Sequence, residues 1–139
     1  MSGVQMSVRA LVFTLMMLTG DMSTAQSSES GQQLGVAREM VHVLEAYAVY
    51  KMGQYDLAFE RYQALAEAGS LQGMYNLANM YAAGLGVEQS NSKAFEWYLK
   101  AAESGDHLSM AEVVKAYSEG IGTNANAEMA DHWRERIHP

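Results

Sequence analysis

Three spacings in this sequence could support chemistry. Ser90-x-x-Lys93 places a hydroxyl one helical turn from an amine, the arrangement of an acylating serine in β-lactam-acting hydrolases. That chemistry also needs Ser-Asp-Asn and Lys-Thr-Gly elements, and neither occurs. Gly84-Leu85-Gly86 could open a dinucleotide-binding turn, but the third glycine position holds Gln89 and the pair recurs as Gly120-Ile121-Gly122. Glu39-x-x-His42 has the helix spacing of a carboxylate-bridged di-metal site. Such a site needs a second copy and two further glutamates, and His107, His132 and His138 form no close ligand set with it. Cysteine is absent, which removes thiolate chemistry and disulfides. The residues therefore point to no catalytic group, no metal and no cofactor.

The same residues read better as architecture. Tyr81–Gly86 lines up with Tyr117–Gly122 at a shift of 36 residues, as Ala94 and Trp97 do with Ala130 and Trp133. In the other direction, Ala94-Phe95-Glu96-Trp97-Tyr98 lines up with Ala58-Phe59-Glu60-Arg61-Tyr62, and Gly105 with Gly69. One shift recurring over three segments is an internal repeat. Met74, Leu77, Ala78 and Tyr81 form an i, i+3, i+4, i+7 stripe, as do Met110, Val113, Val114 and Tyr117. Ala94, Trp97, Tyr98 and Ala101 form a second stripe in the same unit. Gly84 and Gly120 stand where a helix end needs a left-handed residue, and Ser90 and Asn126 where the next helix needs an N-cap. Trp97-Tyr98 and the methionines read as packing residues on these stripes.

The pattern predicts an all-α fold: a short α-solenoid of about three antiparallel helix-turn-helix repeats. The units span about 35–69, 70–105 and 106–138, and the hairpins pair 35–52 with 55–68, 71–83 with 91–103, and 107–119 with 126–137. The first turn is about five residues shorter than the others, because the unit at Lys51–Ala66 lacks the long glycine loop. The only proline is Pro139, so nothing internal forbids long helices.

The N-terminus has a different character. Arg9, an apolar run over Ala10–Leu18 and the small residues Ser23-Thr24-Ala25 follow the order of a secretory signal peptide, with cleavage expected after Ala25. The run is far shorter than the roughly 20 residues that cross a bilayer, so no stable membrane span is expected after cleavage. Residues 26–33 (QSSESGQQ) read as a disordered lead to a repeat domain at 34–139. The expected location is the periplasm or the cell exterior. Net charge is −7, and losing Asp21 with Arg9 leaves it there. An acidic chain without a basic face is a poor ligand for nucleic acid and favours a neutral or basic protein or peptide.

Leu77, Tyr81, Gly84, Gly86, Val87, Lys93, Ala94, Trp97, Tyr98, Ala101, Ala102 and Gly105 together resemble the repeat of the Sel-one-like family, a branch of the tetratricopeptide-like solenoids. Gly73, Ala78 and Ser90 depart from its usual alanine, glycine and aspartate. The third unit keeps Tyr117, Gly120, Gly122, Ala130 and Trp133, and departs at Ser109, Val114, Thr123 and Asn126. The first unit, with Gly53-Gln54-Tyr55-Asp56-Leu57-Ala58, resembles an ordinary tetratricopeptide turn. The resemblance covers about residues 37–137. It implies a non-enzymatic adaptor or scaffold that binds a protein or peptide on the concave face of a superhelix. Exported bacterial members serve in envelope assembly, secretion or host interaction, or as immunity partners of secreted toxins.

On that implication the first helix of each hairpin lines the concavity. Gln72, Tyr75, Asn76 and Asn79 are expected to point away from the core stripe, as are Ala111, Glu112 and Lys115 in the third unit. Asn and Tyr side chains can hydrogen-bond an extended peptide backbone. The chain also stops at Ile137-His138-Pro139 without a polar capping helix, so the packing face of the last hairpin (Met110, Val113, Trp133, Ile137) is expected to be exposed and open to self-association.

Overall fold

The computed structural model describes residues 22–137, which form six α-helices and no strand. They are α1 (Met22–Lys51), α2 (Tyr55–Glu67), α3 (Leu71–Ala83), α4 (Asn91–Glu103), α5 (His107–Glu119) and α6 (Ala127–Ile137). The chain divides into two compact units after Arg38. Of the first, the described residues are the N-terminal part of α1, with every side chain from Ser27 to Arg38 exposed. The second, Glu39–Pro139, holds the rest of α1 and the five following helices.

Local chemistry sets the helix ends. Ser70 accepts a hydrogen bond from the Gly73 N–H at 3.1 Å, Ser90 from Lys93 at 3.3 Å, Asp106 from Ser109 at 2.8 Å and Asn126 from Met129 at 3.1 Å. Each satisfies a backbone donor that the first turn leaves unpaired. Gly84 and Gly120 end α3 and α5 in the left-handed conformation, returning their N–H groups to Met80 and Ala116.

The N-terminal expectation is corrected. Residues 26–33, read from sequence as a disordered lead, lie inside α1. Gln, Ser and Glu cost a helix only a few tenths of a kcal/mol each, Gly31 costs about 1 kcal/mol, and no proline interrupts them. Ser30 Oγ donates to the Ser27 carbonyl at 3.1 Å, a bond compatible with the helix. The expected signal peptide lies outside the described residues except for Met22–Ala25, the first turn of α1.

In the second unit consecutive helices pack as antiparallel hairpins: α3 on α4 and α5 on α6, with α2 against α3 and α4 against α5 joining one hairpin to the next. Two apolar clusters result, and both cross hairpin boundaries. Ala58, Tyr62 and Leu65 of α2 pack with Leu77 and Met80 of α3, and Tyr98 of α4 packs with Met110 and Val113 of α5. No hairpin buries its own apolar face alone, which is why the repeat must be iterated to be stable. Small residues set the spacing. A Cβ on Gly73 would come within 2.6 Å of Leu65 Cβ, so α3 sits close against α2. The aromatic packing repeats with the sequence: Phe59 meets Tyr81 edge-on at 5.3 Å, and Phe95 meets Tyr117 edge-on at 5.3 Å.

Gly86 and Gly122 lock the units together. Both have φ near +70°, and a Cβ on either would fall about 2 Å from a backbone oxygen of the preceding unit: 2.2 Å from Tyr55 O and 2.1 Å from Asn91 O. Tyr55 and Asn91 are the first residues of α2 and α4. Each long loop therefore rests its glycine on the start of the previous unit's second helix, and no larger residue fits.

Candidate functional site: two repeat-related clefts

Two clefts lie where the first helix of one hairpin meets the hairpin before it. The first holds about 120 Å³ and is lined by Tyr47 and Tyr50 of α1, Tyr62 of α2, Asn76, Asn79 and Met80 of α3, and Leu85. The second holds about 210 Å³, and its lining includes Tyr98 of α4 and Glu112, Lys115 and Ala116 of α5, with Ile121. The two are the same site one repeat apart. Tyr62 corresponds to Tyr98, Asn76 to Glu112, Asn79 to Lys115, and Leu85 to Ile121, all at the 36-residue shift. A tyrosine forms the floor of each, and the first helix of the next hairpin supplies two rim positions one turn apart. The rims differ in chemistry: two carboxamides at the first cleft, a carboxylate and an ammonium at the second.

The floors differ as well. The Tyr98 hydroxyl donates to Asn79 Oδ1 at 2.5 Å. The Tyr62 side chain is 2% exposed, and its hydroxyl has no hydrogen-bond partner among the described residues. Since the first turn is shorter, α1 aligns with α3 at a shift of 31 residues, which sets Ala46, Val49 and Tyr50 beside Leu77, Met80 and Tyr81. The residue aligned with Asn79 is then Ala48, which has no side-chain acceptor. Burial raises the Tyr62 pKa to about 12, helped by Tyr47 and Tyr50. Burial also raises Tyr98, with Glu112 and Tyr75 adding to it. Both phenols therefore keep their protons at physiological pH; Tyr98 donates its own to Asn79, and that of Tyr62 is available.

The sequence-nominated residues distribute as follows. Asn76 and Asn79 line the first cleft, and Glu112 and Lys115 the second. Gln72 is exposed, and its carbonyl accepts from Asn76 Nδ2 at 2.8 Å. Ala111 is exposed. Tyr75 does not point away from the core: it is half-buried against the second apolar cluster, its ring 5.9 Å from that of Tyr98. It sits one turn before the fully buried Ala78, on the face that meets the next hairpin. Sequence reading assigned Tyr98 to the core and gave Tyr47, Tyr50 and Tyr62 no role at a site. The repeat of Tyr62 as Tyr98 was the available signal.

The sequence motifs with chemical potential take structural places. Ser90 Oγ accepts the Lys93 N–H as a cap, and the Lys93 ammonium lies over the Tyr81 ring, 5.5 Å from its centroid. His42 Nδ1 is 3.4 Å from Glu45 Oε2, which also faces Arg61 at 3.6 Å, all partly exposed. Among the described residues no three His, Cys, Asp or Glu side chains gather closely enough to hold a metal ion.

The C-terminal expectation is corrected too. Met110, Val113 and Trp133 are buried, and Ile137 is half-buried. Within α6, Arg136 lies over the Trp133 ring at 4.4 Å and covers it with a cationic side chain. The exposed apolar side chains of the second unit concentrate instead on α1, at Met40, Val41, Leu44 and Tyr47.

Residues 71–106, the α3–α4 hairpin, match the family model of the Sel1 repeat. A Sel1 repeat protein from Oxalobacter formigenes superposes with a TM-score of 0.57 and 33% identity, over 59% of this chain and 63% of its own. A protective antigen of uropathogenic Escherichia coli with an SLR fold superposes with a TM-score of 0.58 and 32% identity, over 60% of this chain and 18% of its own. The chain thus spans less than two thirds of the length of either structure. No curated protein matches it. Repeat spacing, capped hairpins, the glycine contacts between units and these two structures agree: the fold is an all-α short solenoid, residues 71–106 match the Sel1 repeat, and the chain is similar to Sel1 repeat proteins.

Proposed function

We propose that the protein is a non-enzymatic interaction scaffold that binds a segment of a protein partner along the concave, first-helix side of its solenoid. One observation carries this reading: the two clefts repeat in position while their polar rims change, from Asn76/Asn79 to Glu112/Lys115. A ligand crossing both clefts is read differently in each. The Sel1-like family, whose members are commonly protein-interaction modules, supports the same class of role. The hydrolase alternative loses its nucleophile, because Ser90 is occupied as a helix cap and Lys93 is drawn to a ring face. Export to the periplasm or the cell exterior is part of the proposal and rests on the signal-like order of residues 1–25.

The test uses a photo-crosslinking amino acid at four positions in the cell that makes the protein. Asn76 and Glu112 report on the first-helix side. Glu60 and Glu96, an exposed repeat-related pair on α2 and α4, report away from the two clefts. Crosslinks to one partner from 76 and 112 alone are expected. Equal crosslinking from 60 and 96, or none from 76 and 112, would refute the proposal.

A further inference from the structure

The first cleft has an unsatisfied polar floor that its repeat mate lacks. Tyr62 is almost wholly buried, lines the cleft, and carries a hydroxyl with no hydrogen-bond partner among the described residues. Among the described residues, the side-chain atoms sealed from solvent without a partner are Ser109 Oγ and Trp133 Nε1, so the Tyr62 hydroxyl still meets water in the cleft, and a ligand group that displaces this water must replace its hydrogen bond. The two rim carboxamides are each half engaged. Asn76 donates through Nδ2 to the Gln72 carbonyl, which leaves its Oδ1 as an acceptor. Asn79 accepts through Oδ1 from Tyr98, which leaves its Nδ2 as a donor. The cleft therefore presents one fixed acceptor, one fixed donor and one phenol that does either.

The walls disfavour charged and purely apolar groups. Tyr47, Tyr50, Met80 and Leu85 supply apolar surface, and no charged side chain lines the cleft. Lys51 lies over the Tyr47 ring at 5.9 Å, outside the lining. A charged group entering here would lose its hydration without a partner in the cleft. A purely apolar group would seal off the Tyr62 hydroxyl and the Asn79 amide unpaired. A volume of about 120 Å³ leaves room for one side chain.

A primary carboxamide meets every requirement: its carbonyl accepts, its NH₂ donates, it is neutral, and its methylenes suit the tyrosine and leucine walls. We infer that the first cleft is a specificity subsite for a glutamine or asparagine side chain on the bound peptide segment, held by Asn76, Asn79 and the Tyr62 hydroxyl. The inference rests on the concave-face reading above and adds the residue that the partner must present there. The second cleft, with Glu112 and Lys115, makes no such demand.

The experiment selects linear peptides from a random display library against the whole protein, then measures affinities by fluorescence anisotropy. Enriched peptides are expected to share a Gln or Asn at one fixed position. Changing that residue to Leu or Glu should weaken binding about tenfold or more. Tyr62→Phe keeps the ring, removes only an unpaired hydroxyl and so leaves the fold intact; it should cut the preference for carboxamide over Leu at that position at least fivefold. Enriched peptides without a shared carboxamide, or an undiminished preference in Tyr62→Phe, overturn the inference. In that case, binding that still falls on charge reversal at Glu112 and Lys115 leaves the concave-face reading standing. Binding indifferent to Tyr62, Glu112 and Lys115 alike, or no enrichment at all, removes both.

Discussion

The Tyr98 hydroxyl donates to Asn79 Oδ1 across 2.5 Å and ties the second helix of the central hairpin to the first. Tyr62, its repeat mate, has no such bond. One tyrosine is therefore structural and the other is available, although both occupy the same place in the repeat.

Phenylalanine substitutions separate the two roles. Tyr98→Phe leaves Asn79 Oδ1 without its donor. Asn79 is half-exposed, so water recovers part of the loss, and a cost of about 1 kcal/mol is expected. That corresponds to a Tm lower by roughly 4–8 °C in a domain of this size. Tyr62→Phe removes an unpaired hydroxyl and should change the Tm little or raise it. Thermal denaturation followed by circular dichroism distinguishes them; equal losses would contradict the assignment.

Alkaline pH acts on the same pair. Tyr62 holds its proton to about 12 when folded, against about 10 when unfolded. Between those values the unfolded chain has lost the proton and the folded chain has kept it, so stability falls as pH rises. The contribution is full below pH ~10 and is lost through pH ~12, on the order of 2 kcal/mol. Tyr98, raised in the same direction, adds to the effect. Urea unfolding midpoints measured from pH 8 to 11.5 should drop steeply above pH 10, and less steeply in Tyr62→Phe. An unchanged slope in that variant would remove Tyr62 as a source.

The contact glycines offer a graded series. Gly53→Ala places a Cβ in open space and bears only left-handed backbone strain, about 1–2 kcal/mol. Gly86→Ala and Gly122→Ala bear that strain and also drive a methyl into Tyr55 O or Asn91 O. Each should destabilise by at least about 2 kcal/mol more than Gly53→Ala, with the loss concentrated between units. Hydrogen exchange is the direct readout. Protection should fall in α2 for Gly86→Ala and in α4 for Gly122→Ala, and a uniform loss throughout would argue against the loop as a lock.

Ser90→Ala tests the cap against the nucleophile. Losing the bond to the Lys93 N–H should cost about 1 kcal/mol. Replacing Ser90 by Asp, another good cap, should restore the stability. A β-lactam hydrolysis assay on the wild type should show no turnover that depends on Ser90; turnover abolished by Ser90→Ala and not recovered in Ser90→Asp would reverse the conclusion.

The helices were legible to within a residue where caps and glycines are local. The hairpin expected at 71–83 and 91–103 is α3 and α4, and the helix expected at 107–119 is α5. An N-cap bond spans three residues and a left-handed cap one, so the sequence carries their full information. Two readings failed where the deciding partner is remote or weak. The length of α1 depends on many small propensities with no cap to stop it, and polar composition read those residues as disordered. Trp133 was expected at an open end, but contacts with the second apolar cluster bury it, and no neighbour in sequence announces them.

Sequence by itself determined the repeat, its register, the helix ends and the all-α class, because period and capping act over one or two turns. Tertiary structure alone decided which of two identical tyrosines is satisfied. Tyr98 meets an acceptor 19 residues away on α3, whereas a shorter first turn shifts α1 so that Ala48 stands in the matching place before Tyr62. A hydrogen bond between packed helices depends on their relative register, and that register is set by turn length and close packing rather than by the residue itself.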